Sequence, residues 1–246
     1  MTEVTLDLDE GVAVVTIDRP EVRNAISPAA MDALDAALDG AAGANVVVIR
    51  GGGDRAFVSG GDLKELAKVR THDEAVAMAL RMRRLCDRIA TFPAPVIAAL
   101  NGHALGGGAE VAVAADIRVA AHGAEIGFTQ ASLAIMPAWG GAERLAALVG
   151  RAQAILLTTT AERVDTAEAH RIGLVDRVYP REAFEASWRA LAGRMAAAPA
   201  RPIKAVIART AAHHHPAHER PAVDAFAALW TSEAHWAAVD QATARR

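Results

Sequence analysis

A single cysteine among 246 residues has no partner within the chain, so an intrachain disulfide framework is excluded and a reducing, cytoplasmic setting is expected. That residue, Cys86, lies in Met82-Arg-Arg-Leu-Cys86-Asp-Arg-Ile89, where apolar side chains recur at helical spacing. It reads as a small buried hydrophobe rather than a nucleophile. Excess charge of one sign is lacking too: 26 Lys and Arg against 29 Asp and Glu leave a net −3. That balance argues against a partner such as nucleic acid or an anionic membrane held by bulk electrostatics. No uncharged apolar run approaches the roughly 20 residues that span a bilayer. Met1 to Glu10 carries acidic residues and no basic one, so a signal peptide is not expected. No internal repeat or low-complexity linker stands out, and Gly51-Gly-Gly53 lacks the spacing of a dinucleotide-binding fingerprint.

What remains is an apolar, globular profile long enough for one large domain or two small ones. Val12 to Ile17 and Val46 to Ile49 are short β-branched runs that read as strands. Between them Ser27-Pro28 offers an N-cap followed by proline at the first helical position, and Met31, Leu34, Ala37 and Leu38 follow at helical spacing up to Gly40. Strand, helix, strand predicts an α/β fold with a partly parallel sheet. A second cycle follows: a glycine turn in Phe57-Val-Ser-Gly-Gly-Asp62, a helix over Thr71 to Ala90, and a buried strand over Pro95 to Leu100. Then come the turn Gly106-Gly-Gly108, a helix over Ala109 to Ala115 and a strand from Asp116. After about Gly140 the strand signal fades, and alanine-rich amphipathic helices are expected over 142–149, 151–157, 166–172, 181–198 and 221–239. The boundaries adopted are an α/β core over 1–195 and a helical C-terminal region over 196–246.

Two glycine turns, each after a strand and before a helix, are where unpaired backbone N–H groups point outward and can bind an anion. Two such groups converging on one point make an oxyanion hole. Glu110 lies three residues after Gly107 and so projects over the same helix face. Its neighbours Val111, Ala112, Val113 and Ala114 mark a helix buried nearly all round, which raises a carboxyl toward the range of a useful base or acid. His213-His-His215 with His218 reads as a solvated helix surface rather than a metal site, since no Asp or Cys pattern accompanies it.

The chain resembles the crotonase (enoyl-CoA hydratase/isomerase) superfamily in sequence order and spacing. Arg19-Pro-Glu-Val-Arg-Asn-Ala25 is similar to the family's N-terminal signature, and Arg55-Ala-Phe-Val-Ser-Gly-Gly-Asp-Leu63 to its first oxyanion loop. Pro93 to Glu110, running on to Ala115-Asp116, resembles the second loop and catalytic helix. Met136-Pro-Ala-Trp-Gly-Gly141 and Ala167 to Val175 resemble later landmarks. The resemblance implies a ββα spiral core, a C-terminal trimerisation region, and assembly as a homotrimer or hexamer. It implies an acyl-CoA substrate, with coenzyme A present only as part of that substrate and no permanent cofactor or metal.

The same resemblance makes the backbone N–H groups of Ser59 and Gly107 the oxyanion donors and Glu110 the acid/base. Arg23, Asn24, Ala25 and Phe57 would contact CoA. Gly60, Gly61 and Asp62 would shape the first loop at the substrate, with Asp62 capping the next helix. Trp139 and Gly140 would lie near the acyl pocket, with core packing the other reading for Trp139. Hydratases of this family use a second glutamate, and its position falls on Gln130, whose amide holds a water or carbonyl but neither gives nor takes a proton near neutral pH. Hydration of a 2-enoyl-CoA is the first expectation. Double-bond isomerisation, decarboxylation of an acyl-CoA and non-catalytic acyl-CoA binding are the alternatives.

Overall fold

The computed structural model describes residues 3–210 apart from 67, 70 and 71, and the expected helix over 221–239 and the His213–His218 group lie outside the described residues. In chain order the elements are β1 (Val4–Asp9), β2 (Val12–Ile17), α1 (Pro28–Gly40), β3 (Val46–Gly51), β4 (Ala56–Val58), α2 (Leu63–Leu66) and α3 (His72–Ala90). Next come β5 (Val96–Leu100), β6 (His103–Leu105), α4 (Gly107–Ala114), β7 (Ile117–Ala121), β8 (Glu125–Gly127), α5 (Gly141–Val149) and α6 (Arg151–Thr160). The remainder are β9 (Arg163–Asp165), α7 (Thr166–Arg171), β10 (Arg177–Tyr179), α8 (Phe184–Ala196) and α9 (Ala200–Thr210). The boundary expected at 195/196 falls at the end of α8, and most of the region beyond it lies outside the described residues.

Two sheets form. The larger runs β1-β2-β3-β5-β7-β10 and the smaller β4-β6-β8-β9. Three successive turns of chain each give one strand to the large sheet and the next to the small one before a helix: β3-β4, β5-β6 and β7-β8. This is the ββα spiral that the resemblance implied. Apart from the antiparallel pairs β1/β2 and β8/β9, the pairings are parallel. Ser27 caps α1 by accepting from the Ala30 N–H at 2.9 Å, and Met31, Leu34, Ala37 and Leu38 are buried. The side chains spaced for one helix face are thus the ones that pack.

The helical reading of the chain after Gly140 needs correction. β9 and β10 lie in that stretch, and β10 completes the large sheet beside β7. Each has three residues, too few for a period-2 pattern to show. Arg118 on β7 holds this join: 2% exposed, it donates to the carbonyls of Leu174 (2.9 Å) and Ala115 (2.8 Å) and pairs with Asp176 at 2.9 Å. Arg118→Ala strands those acceptors and is expected to cost about 2–4 kcal/mol, measured by chemical denaturation. A cost under about 0.5 kcal/mol, the usual scatter of neutral surface changes, would show the join is held otherwise.

Cys86 on α3 is fully buried, and its burial pushes the thiol up to about 12. A thiol so far from ionisation is inert. A thiol-reactive chromophore is expected to leave it untouched until the protein unfolds; labelling of native protein within minutes would contradict this. Among the described residues no helix is long and apolar enough to cross a membrane.

Candidate active site

β4 and β6 lie side by side and parallel, Ala56 opposite His103 and Val58 opposite Ala104. Their C-terminal ends therefore deliver Ser59-Gly60-Gly61 and Gly106-Gly107 to one place, the edge of a parallel sheet where ligands bind. Ile26 bridges Gly61 in parallel: its N–H donates to the Gly60 carbonyl (2.8 Å), and its carbonyl accepts from the Asp62 N–H (2.9 Å). In such a bridge the bonds run to the residues on either side of the bridged one, whose own amide points the opposite way. Gly61 thus turns its N–H away from Ile26, and no acceptor among the described residues takes it. Gly60 has φ +111, a conformation suited to glycine, and it breaks the strand alternation. The Ser59 N–H is consequently turned back and donates to the Arg23 carbonyl at 3.1 Å.

On the second loop Gly106 donates to the Gly127 carbonyl at 2.8 Å, and its own carbonyl accepts from Ala109 and Glu110. Gly107 opens α4, so its N–H has no helical partner and stands at the positive end of the helix dipole. A Cβ built on Gly60 would lie 3.5 Å from the Gly107 nitrogen, which shows how closely the two loops approach. A Cβ on Gly107 would lie 2.1 Å from the Trp139 ring, so only glycine fits there.

One turn into α4, Glu110 is 1% exposed. Its Oε2 accepts from the amides of Trp139 (2.8 Å) and Gly141 (2.9 Å), at the start of α5, and its Oε1 accepts from Gln130 Nε2 at 2.8 Å. Gly141 is required here, because a Cβ would sit 2.3 Å from the Glu110 Cγ. Burial pushes the carboxyl above its ordinary range; the hydrogen bonds from Gly141, Trp139 and Gln130 pull the other way without cancelling it. Both lone pairs of Oε2 are taken, so Oε1 is the oxygen left to act. Gln130, on a single 3-10 turn over Thr129–Leu133, is buried, and its Oε1 has no partner.

Two cavities share Ser59. One, of about 240 Å³, is lined by Gly61, Gly107, Glu110, Gln130 and Trp139 and by apolar residues such as Leu66 and Met136. The other, of about 520 Å³, is lined by Arg23, Arg55, Arg163, Arg181 and His103 with Asp54. Arg181 is fixed by donating to the carbonyls of Asp54 (3.0 Å) and Asn101 (3.3 Å). Apolar space, two free amides and a buried carboxylate thus adjoin a cationic space. Among the described residues no three His, Cys, Asp or Glu side chains gather where a metal could sit.

Residues 7–237 match the sequence model of the enoyl-CoA hydratase/isomerase family. The chain belongs to that family. It is 39% identical over 178 residues, 71% of this chain and 68% of the relative, to a probable enoyl-CoA hydratase of Bacillus subtilis. It is 37% identical over 198 residues to the crotonyl-CoA hydratase of Syntrophomonas wolfei, covering 78% of this chain and 75% of that one. The crystal structure of enoyl-CoA hydratase from Bacillus anthracis superposes with a TM-score of 0.92 at 29% identity, over 99% of this chain and 97% of that chain. The protein is accordingly an enzyme of the enoyl-CoA hydratase/isomerase family, and its spiral is the crotonase fold.

Within that family frame, five expected positions need correction. The Ser59 amide is occupied by Arg23, so the free donor of the first loop is that of Gly61, two residues on. Asn24 is fully buried and wholly engaged: it donates to the carbonyls of Gly52 (2.9 Å) and Ala56 (2.8 Å) and accepts from the Arg19 N–H at 3.0 Å. Both hydrogens of its side-chain amide are thus taken, and none is left to donate to CoA. Phe57 is fully buried in the main core and lines neither cavity. Ala25 and Gly140 are likewise absent from both linings, and Gly140 serves as the left-handed N-cap of α5.

Asp62 does cap, accepting from the N–H groups of Lys64 (3.2 Å) and Glu65 (3.4 Å), and it pairs with Arg19 at 3.0 Å. Burial alone would raise its carboxyl, but Arg19 and the two amides hold it below the ordinary range. The signature from Arg19 to Ala25 is thus chiefly a clamp that shapes the first loop. Gly60, Gly61, Gly107, Glu110, Gln130 and Trp139 do meet in one cavity, and Arg23 lines the other. Arg163 and Arg181 carry no local motif, and Arg55 only opens the first-loop motif. As a cationic group their one shared signal is being basic, and only the fold brings them together.

Proposed function

We propose that the protein adds water to the double bond of a 2-enoyl-CoA, with the thioester oxygen held between the amides of Gly61 and Gly107. The observation that carries this is the junction at Ser59. A cationic cavity suited to the phosphates of CoA meets, at Ser59, an apolar cavity suited to the acyl chain and lined by the two glycines with free amides. Coenzyme A enters as part of the substrate.

Glu110 Oε1 takes a proton from water as the water oxygen bonds to C3, and the electron pair of the C2–C3 double bond moves onto the thioester oxygen. The two amides stabilise that anion, a contribution worth about 10²–10³ in rate per donor. Collapse of the enolate draws the same proton from Glu110 to C2, completing the addition. A carboxyl raised by burial suits both halves of this exchange. Gln130 keeps Glu110 oriented but moves no proton, so the expected rate is modest for the family.

A second reading, isomerisation of a 3-enoyl-CoA to its 2-enoyl isomer, is favoured by that same pair: one carboxylate with a non-titratable neighbour suffices to carry a proton from C2 to C4. Incubation with crotonyl-CoA and, separately, with 3-hexenoyl-CoA tests the choice. Hydration is expected, seen as loss of the conjugated enoyl-thioester absorbance with formation of the 3-hydroxyacyl thioester. Conversion of the 3-enoyl substrate alone overturns hydration in favour of isomerisation, and tight binding without turnover of either marks a non-catalytic acyl-CoA binder. Assembly as a homotrimer or hexamer is proposed as well, supported by the exposed apolar side chains Ile155, Leu156 and Ile203.

A further inference from the structure

We infer that Trp139 selects unbranched acyl chains by filling the space beside the reacting carbons, an inference that rests on the acyl-CoA reading of this cavity. The benzo edge of its indole spans both free-amide glycines. A Cβ on Gly107 would meet that edge at 2.1 Å, and one on Gly61 would lie 3.9 Å from it. The ring therefore packs on Gly107 and comes near Gly61, the two residues whose amides would face the thioester oxygen. The main-chain N–H of the same residue holds Glu110 Oε2 at 2.8 Å, which ties the ring's position to the acid/base. It is 7% exposed, and its carbonyl is further fixed by Arg144 at 3.1 Å.

A ring anchored on both sides cannot swing away for a methyl or aryl group on C3. Elsewhere the wall changes character. Met78, Leu133, Ile135 and Met136 also line the cavity, and the last three are 55%, 59% and 72% exposed. These flexible side chains lead to open solvent, so a straight chain can lengthen past the ring while a branch beside it cannot be housed. The site thus discriminates shape at C3 more than length.

The test measures binding as well as turnover, so that the two readings can fail separately. Binding of the saturated thioesters butyryl-, octanoyl- and isovaleryl-CoA is measured by calorimetry, and kcat/KM is measured for crotonyl-, 2-octenoyl- and 3-methylcrotonyl-CoA. The native protein is expected to favour both linear ligands over the branched one by at least about tenfold, the scale at which a pocket rejects an ill-fitting methyl group. Trp139→Ala is expected to shift that ratio about tenfold toward the branched ligand, and Trp139→Leu, which keeps more bulk, to shift it less. Equal binding of linear and branched thioesters by the native protein, or an unchanged ratio in a folded Trp139→Ala or Trp139→Leu variant, overturns the inference. Discrimination in binding without hydration of any enoyl-CoA would leave the inference standing and remove the hydratase reading.

Discussion

Glu110→Gln is expected to lower turnover of a 2-enoyl-CoA by about 10²–10⁴-fold, the usual contribution of a positioned acid/base, while the protein stays folded. The retained carbonyl oxygen can keep accepting from the amides of Trp139 and Gly141. The new amide nitrogen then faces Gln130, whose Oε1 has no partner at present. Rotation of the Gln130 amide presents that oxygen as an acceptor, so every strong hydrogen bond of the pair is restored. Stability should even improve at neutral pH. Glu110 has a folded-state value raised above its unfolded one, so its contribution is present below the unfolded value, about 4.3, and is lost as pH rises through the folded one. The neutral amide removes that loss. Turnover assays paired with thermal melts at pH 5 and pH 8 check both halves. Turnover within about threefold of native would show that another group moves the proton, and collapse of the fold would show that the carboxylate is structural.

Glu110 could be read in advance because a charge in an otherwise apolar helix is a local contradiction that needs a reason. The α1 cap and its buried face were legible on similar grounds, since Ser27, Pro28 and the helical spacing are all close in sequence. The first loop was harder. Which of Ser59 and Gly61 offers a free amide depends on the pairing of that loop with Arg23 and Ile26, some 35 residues earlier, and on the positive φ of Gly60. Composition shows neither. Asn24 failed for a similar reason: a polar residue in a ligand-facing signature looks like a contact until its hydrogen bonds to Gly52 and Ala56 are seen. The three-residue strands β4, β6, β8, β9 and β10 are too short for alternation to register, yet two of them set the distance between the glycine loops. Residues 23, 55, 163 and 181 make one cationic cavity through folding alone: β9 beside β8 brings Arg163, and β10 beside β7 brings Arg181.

Gln130→Glu is expected to raise hydration of crotonyl-CoA at least about tenfold at pH 6 and to make the fold lose stability as pH rises. The two side chains already touch at 2.8 Å, and two carboxylates at that distance do not both ionise. Main-chain amides from Trp139 and Gly141 stabilise the anion on Glu110 but not one at 130, so the shared proton resides on the new carboxyl. A protonated carboxyl there donates to Glu110 Oε1 just as the native amide does. The native glutamine is in this sense a permanent copy of the protonated acid, able to orient Glu110 but unable to release a proton to C2. Restoring the acid lets one group take the proton from water while the other delivers one, which is the source of the expected gain. Its folded-state value lies above the unfolded one, so the variant's stability is complete below about pH 4.3 and declines above it, by up to about 1.4 kcal/mol per pH unit until the folded value is passed. Profiles of kcat/KM and melting temperature from pH 5 to 9 test this directly. A rate and pH profile identical to native would place position 130 outside the reacting geometry and leave Glu110 as the lone proton carrier.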